Sequence, residues 1–268
     1  MNEFDFTKYK NIVVKVGSAL IAPDGHSCSA RYCLPIANFI KKCQELGKTI
    51  TLVSSGAVAA GYNTLRPSEE DLSTVERQAL AAIGQSKVIN HWQQFFDQPV
   101  AQVLLTAADI QNPTRSVNAK KTISTLHQHR VIPIVNENDT VAIEELMIGD
   151  NDNLAAKVAA LTGADLLIIC SDVDGLFTEN PHLAPEAKLL HRVENITPDI
   201  MQMGKCSHNP QARGGMQTKL EAALIADNHG IDTIICNGRK EAYCRLLSNN
   251  NAGTWIGINN QFDSVTTR

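Results

Sequence analysis

The chain has 268 residues, of which 43% are hydrophobic and 19% charged, and its formal net charge is −4. This composition is typical of a folded globular chain and argues against long disordered segments. The slightly acidic balance and an aromatic content of only 5% argue against a nucleic-acid-binding protein, because such proteins usually carry a basic surface and aromatic side chains on which bases stack. We therefore expect no nucleic-acid partner.

The cysteines and the apolar runs predict a cytoplasmic protein. The seven cysteines are odd in number and no pair has the Cys-x-x-Cys spacing, as expected for reduced thiols. The first ten residues lack the apolar core of a signal peptide, and no run of 18 apolar residues predicts a membrane span. We expect a single domain over residues 1–268, with no contact with a membrane.

Strand-like and helix-like segments alternate along the chain. In chain order, the hydrophobic pattern predicts strands at 12–16, 49–53, 100–105, 131–135, 166–170, 231–236 and 254–257, and helices at 30–46, 75–96, 114–129, 152–162, 216–229 and near 241–247. Two loops are expected at 171–185 and 204–215, the second a candidate lid. Apolar strands alternating with helices indicate an α/β fold with a mainly parallel sheet covered on both faces. Ligands bind such sheets at the carboxyl ends of the strands.

The first two predicted strands end in segments suited to binding an anion. Lys15 lies in an apolar strand just before Gly17, where a phosphate could approach the backbone amides closely. Ser55 follows the second strand, in a run of small residues whose amides could face an anion. Lys15 could instead lie on an edge strand and reach solvent, but we favour the functional interpretation. For Ser55 an ordinary strand-to-helix turn remains equally open.

Two polar runs follow later strands. Asn136-Glu137-Asn138-Asp139 comes after the strand at 131–135, and is either an ordinary loop or a cradle for a cationic group such as an α-ammonium. Gly149-Asp150-Asn151-Asp152-Asn153 opens the helix at 152–162, and one of its side chains is expected to cap that helix. Because capping needs one residue and the run offers four, we favour a second role, in which the two carboxylates hold lysines or Mg²⁺.

Of two further segments, the first could contact a nucleotide and the second an anionic ligand. Ser171 and Asp172 follow the strand at 166–170; an EF-hand is excluded there because Cys170 and Pro181 would occupy its first and last ligand positions. Lys219 lies near the start of the helix at 216–229, where a cation opposes the helix dipole at a cost of roughly 0.3–1 kcal/mol. Such a position suits an anionic ligand; the alternative is an exposed lysine, for which solvent screens the dipole.

The ordered set of motifs resembles the amino-acid kinase family and, within it, the glutamate 5-kinases. The motifs, which span residues 12–238, are Val14-Lys15-Val16-Gly17-Ser18, Val53 to Gly61, Asn136 to Asp139, Gly149 to Leu154, Ser171-Asp172 with Gly175-Leu176, and Gly214-Gly215-Met216 with Thr218-Lys219. The segments Ala82 to Ser86 and Leu104 to Thr106 add to the resemblance.

The resemblance implies a three-layer αβα sandwich with a mainly parallel central sheet. It also implies an enzyme that uses ATP and Mg²⁺ to phosphorylate the γ-carboxylate of L-glutamate, the first step of proline biosynthesis. By motif, Lys15 and Lys219 would stabilise the transferring phosphoryl group and Asp152 would organise both lysines. The residues implied to bind glutamate are Ser55, Asn136, Asp139, Asp150 and Asn151. Those implied to contact the nucleotide are Lys15, Gly17, Ser171, Asp172, Gly214, Gly215 and Lys219. No residue is implied as a metal ligand.

The resemblance also implies a homodimer or homotetramer, proline as a feedback inhibitor and a downstream glutamyl-phosphate reductase. The sequence departs from the family at Ala212-Arg213-Gly214-Gly215, where Gly-Thr-Gly-Gly is common. We also expect this chain to lack the C-terminal RNA-binding-like PUA domain of many glutamate 5-kinases. Two alternatives stay open: a kinase of the same family acting on acetylglutamate, aspartate, carbamate or UMP, and a non-catalytic sensor of amino acids or nucleotides on the same fold.

Overall fold

A computed structural model describes residues 4–66, 72–142, 151–181, 183–206 and 215–257. Its strands are β1 (Asn11–Val16), β2 (Thr49–Ser54), β3 (Val100–Leu105), β4 (Ile132–Glu137), β5 (Leu166–Ser171), β6 (Arg192–Val193), β7 (Asp232–Asn237) and β8 (Gly253–Ile256). Its helices are α1 (Ser18–Ile21), α2 (Ala30–Glu45), α3 (Ala57–Leu65), α4 (Thr74–Gln93), α5 (Ala107–Gln111), α6 (Pro113–Gln128), α7 (Asp152–Thr162), α8 (Pro198–Cys206), α9 (Met216–Asp227) and α10 (Ala242–Leu247).

The strands form one eight-stranded sheet in the order β3-β4-β2-β1-β5-β7-β8-β6. Only the β7–β8 pair is antiparallel, so the predicted mainly parallel sheet is confirmed. β1 lies in the interior of the sheet, paired in register with β2 on one side and β5 on the other. The carboxyl ends of β1, β2, β4 and β5 therefore meet at one edge of the sheet.

Alternate side chains of the central strands face two separate cores. On one face Ile12 and Val14 pack with apolar residues of α2, α4 and α10. On the other face Val13 packs with residues of α7 and α9, such as Val158 and Ala222. Helices thus cover both faces, which makes three layers. Because side chains alternate along a strand, Lys15 lies on the same face as Val13, toward α7 and α9.

The longer elements match the sequence prediction within a few residues, but some short elements were missed and three bounds were wrong. The pattern did not predict α1, α3, α5, α8 or β6. Asn136 and Glu137 belong to β4 and not to the loop after it, and Ser171 is the last residue of β5. The loop expected at 204–215 starts too early, because α8 continues to Cys206; residues 207–214 of this candidate lid lie outside the described residues.

Two glycines allow α3 and α4 to pack with their backbones in contact. A Cβ atom at Gly61 would overlap the carbonyl oxygen of Leu80, and one at Gly84 would overlap the carbonyl oxygen of Ala57. Backbone atoms cannot rotate out of the way as a side chain can, so a larger residue would push the helices apart. Since Gln85 follows Gly84 directly, this contact also sets where the Gln85 side chain enters the sheet edge.

We expect Gly84→Ala to lower the free energy of unfolding by about 1–3 kcal/mol, the usual cost of overpacking a close contact. Urea denaturation of the purified protein measures it. Ser86→Ala is the matched control: Ser86 is exposed on the same helix and its hydroxyl donates to the carbonyl of Ile83 within that helix, so its effect should stay within about 0.5 kcal/mol. Equal stability of the two variants would contradict the close contact.

Within the described ranges, no helix combines the length and the hydrophobicity needed to cross a lipid bilayer.

Candidate active site

Two lysines and one aspartate form a buried charge cluster at the carboxyl edge of the sheet. Asp152, the first residue of α7, forms a close ion pair with Lys15 of β1 through Oδ1, and its Oδ2 accepts a hydrogen bond from Lys219 Nζ at 3.1 Å. Asp152 is fully buried, and the two lysines are only 3% and 4% exposed. Among the described residues, these two positive charges and one negative charge sum to +1.

The fold explains why these three residues meet. The alternation along β1 turns Lys15 toward the face that α7 and α9 cover, and Asp152 and Lys219 lie at the starts of those two helices. The Thr218 hydroxyl lies 3.1 Å from Asp152 Oδ2 and 2.9 Å from the carbonyl oxygen of Gly215. The two alternatives considered for the lysines are therefore wrong. Lys15 is not on an edge strand, and Lys219 is not exposed.

Gly17 leaves space beside the Lys15 ammonium. It follows β1 directly, its amide donates to the carbonyl of Cys170 at 3.2 Å, and a Cβ placed on it would lie 3.9 Å from Lys15 Nζ. A phosphate oxygen can therefore approach the ammonium across this residue. The structure brings Gly17 to the cluster, but its amide already donates to Cys170 and so does not face an anion as considered from the sequence.

Ser55 lies next to the end of β1, but its amide is already used. The Ser55 N–H donates to the carbonyl of Val16 at 3.2 Å, so it does not face an anion as considered from the sequence. Gly56 turns the chain from β2 into α3 with a φ of +87°, and a Cβ there would lie 2.9 Å from Ile21. What Ser55 offers a ligand is its hydroxyl group.

Three amide side chains form a second cluster beside the first. Asn151 donates to Asn136 Oδ1 at 2.6 Å, and Asn136 donates in turn to Gln85 Oε1 at 3.0 Å. Gln85 Nε2 donates to a carboxylate oxygen of Asp139 at 3.2 Å. The structure therefore brings together Asn136, Asp139 and Asn151, three of the residues predicted to bind the acceptor substrate.

Asn151 occupies the N-cap position of α7 but does not cap the helix. No cap hydrogen bond is formed by its side chain; its Nδ2 donates to the carbonyl of Ser54 at 2.7 Å and to Asn136. The expected capping role is therefore wrong for Asn151. Because both of its N–H bonds are used, its amide can offer a ligand only the carbonyl oxygen. Asp150, the preceding candidate, lies outside the described residues.

Asp139 is held in an environment that favours its neutral form. Burial raises the pKa of the Asp139 carboxyl from its ordinary value to about 6, and the hydrogen bond from Gln85 only partly opposes this rise. At neutral pH the group is still mostly ionised. A half-buried carboxylate beside an amide oxygen is an acceptor set suited to an ammonium group.

Ser171 and Asp172 lie where β5 ends, next to the end of β7. The Ser171 hydroxyl donates to Asp172 at 3.2 Å, and Arg239 lies 3.7 Å from the same carboxylate. Both residues therefore stand at the carboxyl edge, one strand away from Lys15. Gly215 precedes α9 as its N-cap residue, whereas Gly214 lies outside the described residues.

A hydrogen-bonded group of side chains from β7 and the segment after it lies beside Asp172. Asn237 donates to Asp174 at 2.7 Å and Lys240 donates to the other carboxylate oxygen at 2.6 Å. Burial alone would raise the pKa of Asp174, but the hydrogen bonds from Lys240 and Asn237 together lower it. This group places two cationic side chains, Arg239 and Lys240, at the same edge of the sheet as Ser171 and Asp172.

Sequence reasoning named no role for Gln85, Thr218, Asn237 or Lys240. A signal existed for the first two: Gln85 is a polar residue on the apolar face of a helix, and Thr218 adjoins Lys219. The last two carry no such signal, since polar residues after a strand are common. No group of three or more His, Cys, Asp and Glu side chains that could hold a metal ion is found in the described ranges.

The sequence profile of the Amino acid kinase family matches residues 10–237, a range that contains both clusters. The chain belongs to the amino acid kinase family.

Relatives within the family confirm the narrower resemblance. The chain is 56% identical over 237 residues to the glutamate 5-kinase of Salinibacter ruber and 46% identical over 247 residues to that of Idiomarina loihiensis. These matches cover 88% and 92% of this chain, and 63% and 67% of the relatives. The chain thus spans about two thirds of the length of these amino acid kinases.

Solved structures of the family confirm the αβα fold. The carbamate kinase of Giardia lamblia superposes with a TM-score of 0.63 at 19% identity, covering 94% of this chain and 99% of that one. The UMP kinase of Bacillus anthracis gives a TM-score of 0.62 at 18% identity, covering 94% and 97%. At these identities the likeness concerns the fold alone.

Proposed function

We propose that this chain transfers the γ-phosphoryl group of ATP to the γ-carboxylate of L-glutamate, giving ADP and γ-glutamyl phosphate. The observation that carries the proposal is the buried Lys15–Asp152–Lys219 cluster, with its net positive charge, at the carboxyl edge of the sheet. The similarity to glutamate 5-kinases supports glutamate as the acceptor.

Phosphorylation of a carboxylate requires cations and correct positioning of the reactants rather than a general base. A carboxylate is already a nucleophile, so no proton has to be removed before it attacks. The obstacle is the repulsion between an anionic acceptor and an anionic phosphate. Lys15 and Lys219 bring two buried ammonium groups to the place where charge moves in the transition state, and Asp152 keeps both oriented before the substrates arrive.

Glutamate is proposed to bind over the amide cluster. The carboxylate of Asp139 and the carbonyl oxygen of Asn151 accept hydrogen bonds from its α-ammonium group, while Asn136, Asp150 and the Ser55 hydroxyl complete the site. Acylation of the amine would remove its charge and leave the Asp139 carboxylate without a cationic partner. Because an unpaired buried polar group discriminates strongly between substrates, this site favours free glutamate over acetylglutamate.

The nucleotide is proposed to lie along Gly17, Ser171, Asp172, Gly214 and Gly215. The described residues do not fit a resident Mg²⁺ site. They contain no group of three or more side chains that could ligate a metal ion. The Asp152 carboxylate is already in contact with both lysines and with the Thr218 hydroxyl. Mg²⁺ commonly keeps its waters and binds through substrate phosphates. We therefore propose that Mg²⁺ enters as part of the substrate Mg–ATP.

Several wider roles follow from the proposed activity. The reaction would stand first in proline biosynthesis in the cytoplasm, with proline as a feedback inhibitor. The product is an acyl phosphate and hydrolyses readily, so a glutamyl-phosphate reductase would consume it next. We propose a homodimer or a homotetramer, and the single domain over residues 1–268 stays a prediction.

The direct test is glutamate-dependent ADP release from Mg–ATP, with hydroxylamine present to trap the acyl phosphate as a hydroxamate. ADP and hydroxamate formed in equal amounts, and only with L-glutamate, are the expected result. Acetylglutamate, aspartate, carbamate and UMP serve as a panel of competing acceptors. Turnover with one of them instead would overturn the acceptor assignment, and ATP binding without any turnover would indicate a sensor.

We expect glutamate binding to weaken at acidic pH because Asp139 must be ionised to pair with the ammonium group. With a carboxyl pKa of about 6, kcat/KM for glutamate should fall about tenfold per pH unit below that value. A pH–rate profile at saturating ATP measures this, with the KM for ATP as the internal control. Asp139→Asn should abolish this acidic limb, so a limb unchanged in that variant would assign it to another group.

A further inference from the structure

Gln85 is a buried side chain whose hydrogen-bonding groups all meet the edge of the active site. It lies on α4 and is 8% exposed. Its Nε2 donates to the carbonyl of Glu137 at 3.1 Å and to Asp139 at 3.2 Å, while its Oε1 accepts from Asn136 at 3.0 Å. A residue that served only to pack α4 against the sheet would need no amide here.

Main-chain groups fix the orientation of every amide in this cluster. The Glu137 N–H donates to Asn136 Oδ1 at 2.9 Å, so the oxygen of Asn136 must lie on that side. The carbonyls of Glu137 and Ser54 face the nitrogens of Gln85 and Asn151. A backbone N–H can only donate and a carbonyl can only accept. Each amide therefore has one permitted orientation, and Gln85 connects Asn136 to Asp139.

We propose that Gln85 is a positioning residue for the acceptor substrate: it locks the Asn136 amide and holds the Asp139 carboxylate, through a neutral N–H donor, in place for the ammonium group of glutamate. This inference rests on the proposed function. It goes beyond the motif resemblance, which assigned no role to this residue.

The charged surroundings of Asp139 explain why a neutral donor matters. The charged groups described at this edge are Glu137 on β4, the cluster of Lys15, Asp152 and Lys219 from β1, α7 and α9, the Asp109–Arg115 pair after β3, and Asp172, Asp174, Arg239 and Lys240 after β5 and β7. Both lysines pair with Asp152, and none of the ion pairs among the described residues includes Asp139. A cationic donor in the place of Gln85 would compete with the substrate for Asp139, whereas an amide leaves the negative charge available.

The test compares Gln85→Met and Gln85→Glu with the wild-type chain. Methionine has nearly the same shape but removes all three hydrogen bonds. The pKa of Asp139 should then rise, because the bond from Gln85 lowers it. In Gln85→Glu, the new carboxylate still accepts a hydrogen bond from Asn136 but places a negative charge beside Asp139. This charge should raise the pKa of Asp139 further. Gln94→Met is the matched control, since Gln94 is exposed at the end of the same helix.

For Gln85→Met we expect a rise of about one pKa unit in Asp139, which lowers kcat/KM for glutamate about tenfold relative to wild type at pH 5 but only about twofold at pH 7, with the loss recovered by pH 8.5. The acidic limb should move further in Gln85→Glu. The KM for ATP should stay within about twofold in both variants. Titration of the ¹³C-labelled Asp139 carboxyl, assigned with Asp139→Asn, should show the same order without any substrate.

The outcomes separate the two proposals. A wild-type chain without glutamate-dependent turnover overturns the proposed function, and this inference with it. If the wild-type chain is active but both Gln85 variants keep the wild-type acidic limb and the wild-type Asp139 titration, the inference alone is overturned. A loss that is equal at every pH and for both substrates, or failure of both variants to fold, would make Gln85 a structural residue and likewise overturn it.

Discussion

Lys219→Met is expected to lower kcat by about 10²–10³-fold, the range typical when one group that stabilises transition-state charge is removed. Methionine fills much of the space of the lysine stem, so the loss reports on the ammonium group. Lys15→Met should behave in the same way. The measurement is ADP release with hydroxamate trapping, at saturating Mg–ATP and glutamate.

The same lysine variants should keep most of their stability. Removing one ammonium group takes the cluster from a net charge of +1 to neutrality and leaves a complete buried ion pair between Asp152 and the remaining lysine. No buried charge is left without a partner, which is the usual cause of a severe loss. The large fall in kcat should therefore come with only a small change in the free energy of unfolding, so partial unfolding cannot account for it.

Lys42→Met provides the control for this prediction. Lys42 is exposed on α2 and pairs with Glu45 one turn away, and such surface pairs contribute little to stability. This variant should keep wild-type kcat. If Lys219→Met were to keep kcat within about threefold, the cluster would not serve phosphoryl transfer and the proposed mechanism would be wrong.

The sequence predicted the part of the site that depends on strand ends. Lys15 could be singled out because a lysine within a run of Val and Ile is rarely buried without a purpose. Its partner could not be derived from spacing, since Asp152 lies 137 positions further along the chain. The resemblance to the family supplied that pairing. The structure explains it through the alternation along β1 and the placement of α7.

Local rules failed where a tertiary contact competed with them. Asn151 occupies an N-cap position, and a residue of its type there usually caps the helix. Instead its amide reaches Ser54 and Asn136. The loop expected from residue 136 fails in the same way: Asn136 and Glu137 are polar but continue β4, and the Asn136 side chain bonds to Gln85 and Asn151 at the sheet edge.

Gln85 shows a different limit of sequence reasoning. Its burial follows from the helix period, since Ala81, Gly84 and Val88 on the same face are buried as well. Its partners follow from how α4 crosses the sheet, and that crossing depends on the contact between Gly84 and Ala57. A one-dimensional pattern contains the first fact but not the second.

Asp152→Asn is expected to be the most damaging single substitution in the site, with both activity and stability lost. The change keeps the shape of the side chain but removes a carboxylate that pairs with both buried lysines. Two ammonium groups would then face each other in a site that is almost closed to solvent. Breaking a buried pair in this way typically costs about 3–5 kcal/mol. Urea denaturation and ADP release measure the two effects.

Asp97→Asn is the matched control, because the Asp97 side chain is exposed and pairs with Lys41 on the surface; its effect should stay within about 0.5 kcal/mol. If like-charge repulsion causes the loss, removing one lysine must relieve it. The double variant Lys15→Met/Asp152→Asn should therefore be more stable than Asp152→Asn alone, by about 1–3 kcal/mol, as coupled neighbours show in double-mutant cycles. The double variant should still lack activity, since it has lost the Lys15 ammonium group and the Asp152 carboxylate that orients Lys219. Additive losses would instead mean that the two side chains stabilise the fold independently, and that Asp152 does not hold the lysines in place.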